Sequence, residues 1–204
     1  AMGQGLLMAR WTAAFQAHHL DAAQVLLTTD DVMRRDHYTN VRAALSRLLG
    51  LGVVPILNEN DAVTTRELRF GDNDRLAALI AQMIKADALV LLTDVDGLYT
   101  APPDHPGSEL IERVASADDL MSVLVTGAGS RVGTGGMATK VQAAMLATAS
   151  GIGVQLASAN DLGSVLEGRR VGTWFEPSAQ RPASRRLWIA HVAPSRGEII
   201  VDEG

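Results

Sequence analysis

The stretch VVPILNENDAVTTRELRFGDNDRLAALIAQMIKADALVLLTD, from Val53 to Asp94, decides the fold. It begins with an apolar run over Val53–Leu57 and ends with another over Ala88–Leu92, and each run predicts a short buried strand. Between them, apolar residues recur at helical spacing from Leu76 to Ile84. A strand, a helix and a strand in succession indicate an α/β fold with a mainly parallel sheet. Pro55 predicts an interruption of the first strand's hydrogen-bond ladder.

The same alternation continues on both sides of this stretch. Further helices are expected at residues 3–19, 35–49, 117–125 and 137–150, with a helical turn at 161–167. Further strands are expected at residues 24–28, 153–157 and 171–175, with a hairpin arm at 64–70 and late strands at 187–190 and 198–201. At 204 residues, the chain is long enough for one good-sized domain with a real core.

Composition excludes several classes of protein. A hydrophobic content of 47% with 20% charged residues is not that of a disordered chain. The absence of cysteine excludes a disulfide scaffold, a thiolate zinc site and a cysteine nucleophile. A net charge of −5 disfavours nucleic acid as a partner, and the five histidines show no metal-ligand spacing. Apolar runs are far short of the roughly 20 residues that span a bilayer, and no signal-peptide pattern is present, so we expect a cytoplasmic protein without a membrane partner.

Polar clusters lie at the ends of three predicted elements, at positions where ligands bind in parallel sheets. They are Asn58–Asp61 after the first strand, Gly71–Asp74 before the helix, and Thr93-Asp94 after the second strand. Acids and amides here can grip an ammonium group, order magnesium through water, or orient a lysine. The alternative is that such residues merely form turns and cap a helix.

A glycine-rich segment, Gly133–Lys140, leads directly into the helix predicted at 137–150. Glycines before a helix let backbone N–H groups wrap an anion, and the helix N-terminus adds positive potential. Lys140 is one of only two lysines beside sixteen arginines, which suggests that a compact charge is needed there. The spacing fits neither a Walker A loop nor a dinucleotide fingerprint, and a flexible loop with a chance lysine is the alternative. Together the clusters indicate phosphoryl transfer without naming the acceptor.

Four of these motifs, in this order, resemble those of the glutamate 5-kinases in the amino acid kinase family: NEND at Asn58–Asp61, FGDND at Phe70–Asp74, LTDVDGLY at Leu92–Tyr99 and GTGGMATK at Gly133–Lys140. The resemblance covers nearly the whole chain. It implies a three-layer αβα sandwich around a mainly parallel sheet. It also implies ATP-dependent phosphorylation of the side-chain carboxylate of L-glutamate to L-glutamyl 5-phosphate, the first step of proline biosynthesis. Magnesium would assist, proline would be a feedback inhibitor, and a homo-oligomer is expected.

The resemblance also assigns roles to single residues. Asp61 and Asn73 match glutamate-binding positions, and Thr93 and Asp94 match nucleotide contacts. The residues that match the ATP loop are Thr134, Gly135, Gly136, Met137, Ala138, Thr139 and Lys140. Lys140 is also the expected transition-state lysine, and Asp74 matches the aspartate that orients the catalytic lysines.

The chain departs from the family pattern at its two ends. The family's first strand, which carries a Gly-x-x-Lys phosphate site, and the glycine-serine segment after it have no counterpart here. We therefore expect residues 1–204 to be an amino acid kinase domain without its N-terminal portion, with 177–204 as terminal strands and no PUA domain. Two alternatives stay open: a fragment that only binds nucleotide or amino acid or only oligomerises, and a related kinase acting on acetylglutamate, carbamate or UMP. The second alternative depends on residues 58–74, the segment expected to bind the phosphoryl acceptor and called the acceptor segment below.

Overall fold

The structure is a computed structural model of the chain, and it describes residues 2–60, 73–116 and 136–179. The chain divides into two compact units. The first comprises Ala1–Arg69 with Ala183–Gly204, and the second comprises Phe70–Pro182.

The first unit contains a parallel strand pair with helices before and between the strands. Its described elements are α1 (Met2–Gln16), β1 (Asp21–Leu27), α2 (Thr29–Met33), α3 (Arg35–Gly50) and β2 (Val53–Glu59). The register places Asp21 opposite Val53 and Leu27 opposite Glu59. The predicted interruption at Pro55 is wrong, because β2 runs through this residue opposite Ala23. Within the described ranges β2 pairs only with β1, and a proline is tolerated where its missing N–H would not enter a ladder.

The second unit holds a four-stranded sheet in the order β3-β5-β6-β4. Its described elements are α4 (Asn73–Ile84), β3 (Ala88–Thr93), β4 (Arg113–Val114), α5 (Gly136–Ala149), β5 (Gly153–Ser158), a 3₁₀ turn (Ala159–Asp161), α6 (Leu162–Leu166) and β6 (Thr173–Phe175). β3 pairs with β5 and β4 with β6 in parallel, whereas β5 and β6 are antiparallel. With the parallel β1–β2 pair, the sheet pairing is mainly parallel, as predicted.

The core of the second unit is built from small residues of two helices and apolar residues of the sheet. α4 and α5 pack against each other and against β3 and β5. The buried core residues include Ala78 and Ala81 of α4, Ala143, Ala144 and Ala147 of α5, and Leu91, Val154, Leu156 and Phe175 of the strands. Alanine lets the helix backbones approach closely, which is how a chain with 4% aromatic residues fills its interior.

The chain direction brings the starts of both helices to one edge of the sheet. Three residues separate the end of α4 from the start of β3, and three separate the end of α5 from the start of β5. Each helix therefore runs back along the sheet against its strand, so its N-terminus lies at the carboxyl ends of the parallel strands. Asp74 in the first turn of α4 and Lys140 in the first turn of α5 lie at this edge.

Most predicted elements agree with the structure to within a few residues. The helix α2 and the two-residue strand β4 were not expected. The helix predicted at 117–125, the hairpin arm at 64–70 and the late strands at 187–190 and 198–201 lie outside the described residues. Where the chain is described, none of its helices has the length and apolar character needed to cross a membrane.

Candidate active site

Lys140 and Asp74 form an ion pair between the first turns of α5 and α4. The Nζ atom of Lys140 lies 2.9 Å from both Oδ1 and Oδ2 of Asp74, across 66 residues of sequence. The side chains are only 17% and 16% exposed, so solvent weakens the pair little. An ammonium group has three N–H donors, and with two directed at the carboxylate the third can point to an anion. The structure thus brings these two predicted site residues together.

Thr139 links the same two helix starts. Its hydroxyl Oγ1 lies 2.9 Å from the carbonyl oxygen of Gly136 and 3.4 Å from Oδ2 of Asp74. The first contact lies within the first turn of α5, and the second joins that turn to the first turn of α4. Together with the ion pair, these contacts hold the first turn of α5, which carries Lys140, against the first turn of α4.

The N-terminus of α5 has the properties of an anion-binding position. The helix begins at Gly136 and has no acidic residue in its first turn, so its positive end is not neutralised from within. A Cβ added to Gly136 would meet none of the described residues within 4 Å. Met137 and Ala138 are half-buried in the same turn. Thr134 and Gly135 lie outside the described residues.

Small polar side chains end the neighbouring parallel strands β3 and β5 at this edge. Thr93 closes β3, lies opposite Ser158 of β5, and donates its hydroxyl to Oδ1 of the exposed Asp94 at 3.1 Å. The hydroxyl of Ser158 accepts the N–H of Asn160 at 3.3 Å and so starts the 3₁₀ turn. Ser158 and Asn160 are not among the residues that the sequence motifs predict, although the strand expected at 153–157 already pointed to them by the rule used for Thr93.

The acceptor segment is described in part. In the first unit, the half-buried residues Asn58, Glu59 and Asn60 end β2, and the N–H of Asn60 donates to the carbonyl of Leu27 at 2.7 Å. In the second unit, Asn73 is exposed at the first position of α4. Asp61 lies outside the described residues.

A capping network stabilises the chain just after β1. The carboxylate of Asp31 accepts the backbone N–H of Thr28 at 2.8 Å and its hydroxyl at 2.7 Å, forming a capping box on α2. Nδ1 of His37 lies 3.3 Å from Oδ1 of Asp31. Burial works to raise the pKa of Asp31, but the hydrogen bonds from Thr28 and the nearby His37 outweigh it and lower the pKa below the usual 3.8.

Comparison with known proteins identifies the family. The family model described as "Amino acid kinase family" matches residues 1–158. The chain belongs to the amino acid kinase family. The α/β fold with a mainly parallel sheet that the motifs imply is thereby confirmed for this chain.

Curated relatives from several bacteria carry the name "Glutamate 5-kinase". The one from Salinispora arenicola is 55% identical over 205 residues, which cover 100% of this chain and 56% of that protein. Those from Bifidobacterium longum and Thermobifida fusca are each 53% identical over 100% of the chain, covering 54% and 53% of their own lengths. The chain therefore spans about half the length of the curated relatives it matches.

Solved structures of other kinases share the fold at low sequence identity. Carbamate kinase from Giardia lamblia bound to AMP-PNP aligns with a TM-score of 0.63 at 18% identity, covering 87% of this chain and 71% of that one. UMP kinase from Ureaplasma parvum aligns with a TM-score of 0.51 at 12% identity, covering 80% of this chain and 63% of that one. At these identities the likeness shows the fold alone.

Proposed function

We propose that the protein transfers the γ-phosphoryl group of ATP to the side-chain carboxylate of L-glutamate, giving L-glutamyl 5-phosphate and ADP. The observation that carries this proposal is the identity of 53–55%, over the whole chain, with relatives named glutamate 5-kinase. The reaction would be the first step of proline biosynthesis, and proline would inhibit it. We further propose a cytoplasmic homo-oligomer in which residues 1–204 belong to one amino acid kinase domain.

The pair of Lys140 and Asp74 suits this reaction. A carboxylate attacking the γ-phosphorus brings two anions together, so a fixed cation beside the transferring group lowers the barrier. In the proposed mechanism Lys140 neutralises charge on the transferring phosphoryl oxygens, and Asp74 keeps its Nζ in place through the two 2.9 Å contacts. The N-terminus of α5, from Gly136 to Thr139, would supply backbone N–H groups to the nucleotide phosphates.

The remaining predicted residues divide between the two substrates. We assign Thr93 and Asp94, at the end of β3, to the nucleotide, and Thr134 and Gly135 to its phosphates. Asp61 and Asn73 would hold glutamate, because a carboxylate suits the ammonium group of an amino acid and an amide can serve either charged end.

Magnesium fits this site as a partner of the nucleotide. Within residues 2–60, 73–116 and 136–179, no group of three or more His, Cys, Asp or Glu side chains could hold a metal ion. Magnesium is often bound chiefly through substrate phosphates, and Lys140 with the N-terminus of α5 would hold those phosphates. When bound, the ion neutralises charge on the β- and γ-phosphoryl oxygens.

The proposal is tested by measuring ADP release from the full-length protein with ATP and one acceptor at a time. We expect kcat/KM to be highest for L-glutamate, and a Lys140→Ala preparation to be the control for contaminating kinases. A higher kcat/KM with acetylglutamate, carbamate or UMP would assign the protein to another kinase of the family. Nucleotide binding without turnover on any acceptor would indicate a binding protein instead.

A further inference from the structure

The loop Asp94–Gly97, which follows β3, is fastened at its far end by β6. The backbone N–H of Leu98 donates to Oγ1 of Thr173 at 2.8 Å, although the two residues are 75 positions apart. The carbonyl of Leu98 accepts the N–H of Ile111 at 2.8 Å, so both backbone groups of Leu98 are engaged. The loop therefore runs between two fixed points, the end of β3 and Leu98.

The hydrogen bond between Thr173 and Leu98 is buried. Thr173 is 0% exposed and Leu98 is 3% exposed, so no water can replace the threonine hydroxyl as acceptor without opening the structure. A buried N–H that loses its acceptor is left with an uncompensated polar group, which strongly disfavours the arrangement. Thr173 is too enclosed to touch a substrate, and any influence it has on the reaction must pass through the loop.

Two glycines show how closely the loop and β6 approach each other. A Cβ at Gly97 would lie 2.8 Å from Oγ1 and 3.1 Å from the backbone nitrogen of Thr173. Gly172, just before β6, has a φ of +68, and a Cβ there would lie 2.9 Å from the carbonyl oxygen of Asp96. Backbone therefore meets backbone on both sides of the hydrogen bond, and the loop has little freedom to move while the bond is intact.

We infer that Thr173 is a positioning residue for nucleotide binding, which holds the loop Asp94–Gly97 that follows the polar end of β3. The inference rests on the proposed function for one point, the assignment of Thr93 and Asp94 to the nucleotide. A ligand held by a strand end and the loop after it binds best when the loop is already in the bound geometry. The hydroxyl of Thr173 supplies that order from outside the site.

The test compares Thr173→Val with Thr173→Ser in the full-length protein. Valine keeps the shape and removes the acceptor, whereas serine keeps the acceptor. We expect the Kd for ATP, measured by calorimetry without any acceptor substrate, to rise about tenfold in Thr173→Val and to stay within about twofold of wild type in Thr173→Ser. The KM for glutamate at saturating ATP should change by less than about twofold in both. An equal loss in both variants, or no loss in a folded Thr173→Val, would overturn the inference.

A second pair of variants covers the case in which Thr173→Val does not fold. Gly97→Ala pushes a methyl group against Thr173 from the loop side, and we expect the same selective rise in the Kd for ATP. Its matched control is Gly163→Ala, where a Cβ meets no atom of the described residues within 4 Å. Equal Kd values for these two variants would contradict the inference. A wild-type protein that binds no nucleotide at all would overturn the proposed function, whereas wild-type binding with unaltered binding in Thr173→Val and Gly97→Ala would overturn the role of Thr173 alone.

Discussion

Replacing Asp74 with asparagine removes the charge opposite Lys140 and keeps the size of the side chain. In the structure both carboxylate oxygens of Asp74 lie 2.9 Å from Nζ of Lys140. The amide retains one oxygen, so Asp74→Asn loses one of two charge-assisted contacts and the attraction of the full charge. Because the side chains are only 17% and 16% exposed, water restores little of that loss.

The size of the effect follows from the energy of one such contact. A hydrogen bond to a charged group contributes about 1.5–3 kcal/mol. Each 1.36 kcal/mol added to the barrier is tenfold in rate, so kcat should fall about 10- to 150-fold if Lys140 acts on the transition state. The KM values for ATP and glutamate should move by less than about threefold, because the pair is assigned to the transferring phosphoryl group.

The assay is steady-state ADP release by the full-length protein, with a thermal melt of each variant. Asp87→Asn is the matched control, since Asp87 is an exposed acid just after α4. We expect the control to keep wild-type kcat. A folded Asp74→Asn protein with kcat within about threefold of wild type would refute the role given to the ion pair, as would an equal fall in the control.

Three further predictions concern single residues. Lys140→Ala should lower kcat at least roughly 100-fold, and Lys140→Arg should also lose most of kcat because a wide guanidinium replaces a compact ammonium. Steady-state kinetics check this, with thermal melts that we expect to be unchanged. A near-normal kcat would contradict it. Asp61→Ala should raise the glutamate KM at least about tenfold with little change in the ATP KM; an unchanged glutamate KM excludes the assignment. The lowered pKa of Asp31 means that its charge stabilises the fold above the unfolded value near 3.8, and that this contribution is lost as pH falls through the lower folded pKa. Urea unfolding should therefore show Asp31→Asn less stable by about 1 kcal/mol near pH 7 and equal to wild type at strongly acid pH; a constant difference would count against the capping role.

The regular elements around the site were predictable because their patterns are local. Helical spacing from Leu76 to Ile84 and the apolar run Ala88–Leu92 each lie within one element, and both appear as α4 and β3. The short helix α2 escaped prediction because five residues carry no periodicity, although Thr28 and Asp31 have the spacing of a capping box.

Contacts between distant segments were harder to predict. The rarity of lysine drew attention to Lys140, but Lys85 is equally rare and merely occupies an exposed turn with φ +58. Only the family resemblance linked Asp74 to Lys140, because no spacing rule joins residues 66 positions apart. The strand predicted at 171–175 starts later, at Thr173, since Gly172 has a φ of +68 that an extended strand does not adopt. Nothing in the sequence marked the buried hydroxyl of Thr173 as the acceptor for Leu98.

The central claim is that phosphate is transferred to the side-chain carboxylate of glutamate, and trapping the product tests it most directly. The full-length protein is incubated with ATP, hydroxylamine and glutamate labelled with ¹⁸O in that carboxylate. Hydroxylamine attacks the carbonyl carbon of an acyl phosphate, so phosphate leaves with the bridging oxygen. We expect the side-chain hydroxamate of glutamate, together with phosphate carrying ¹⁸O. ATP consumption without this hydroxamate, or only with carbamate, acetylglutamate or UMP, would contradict it.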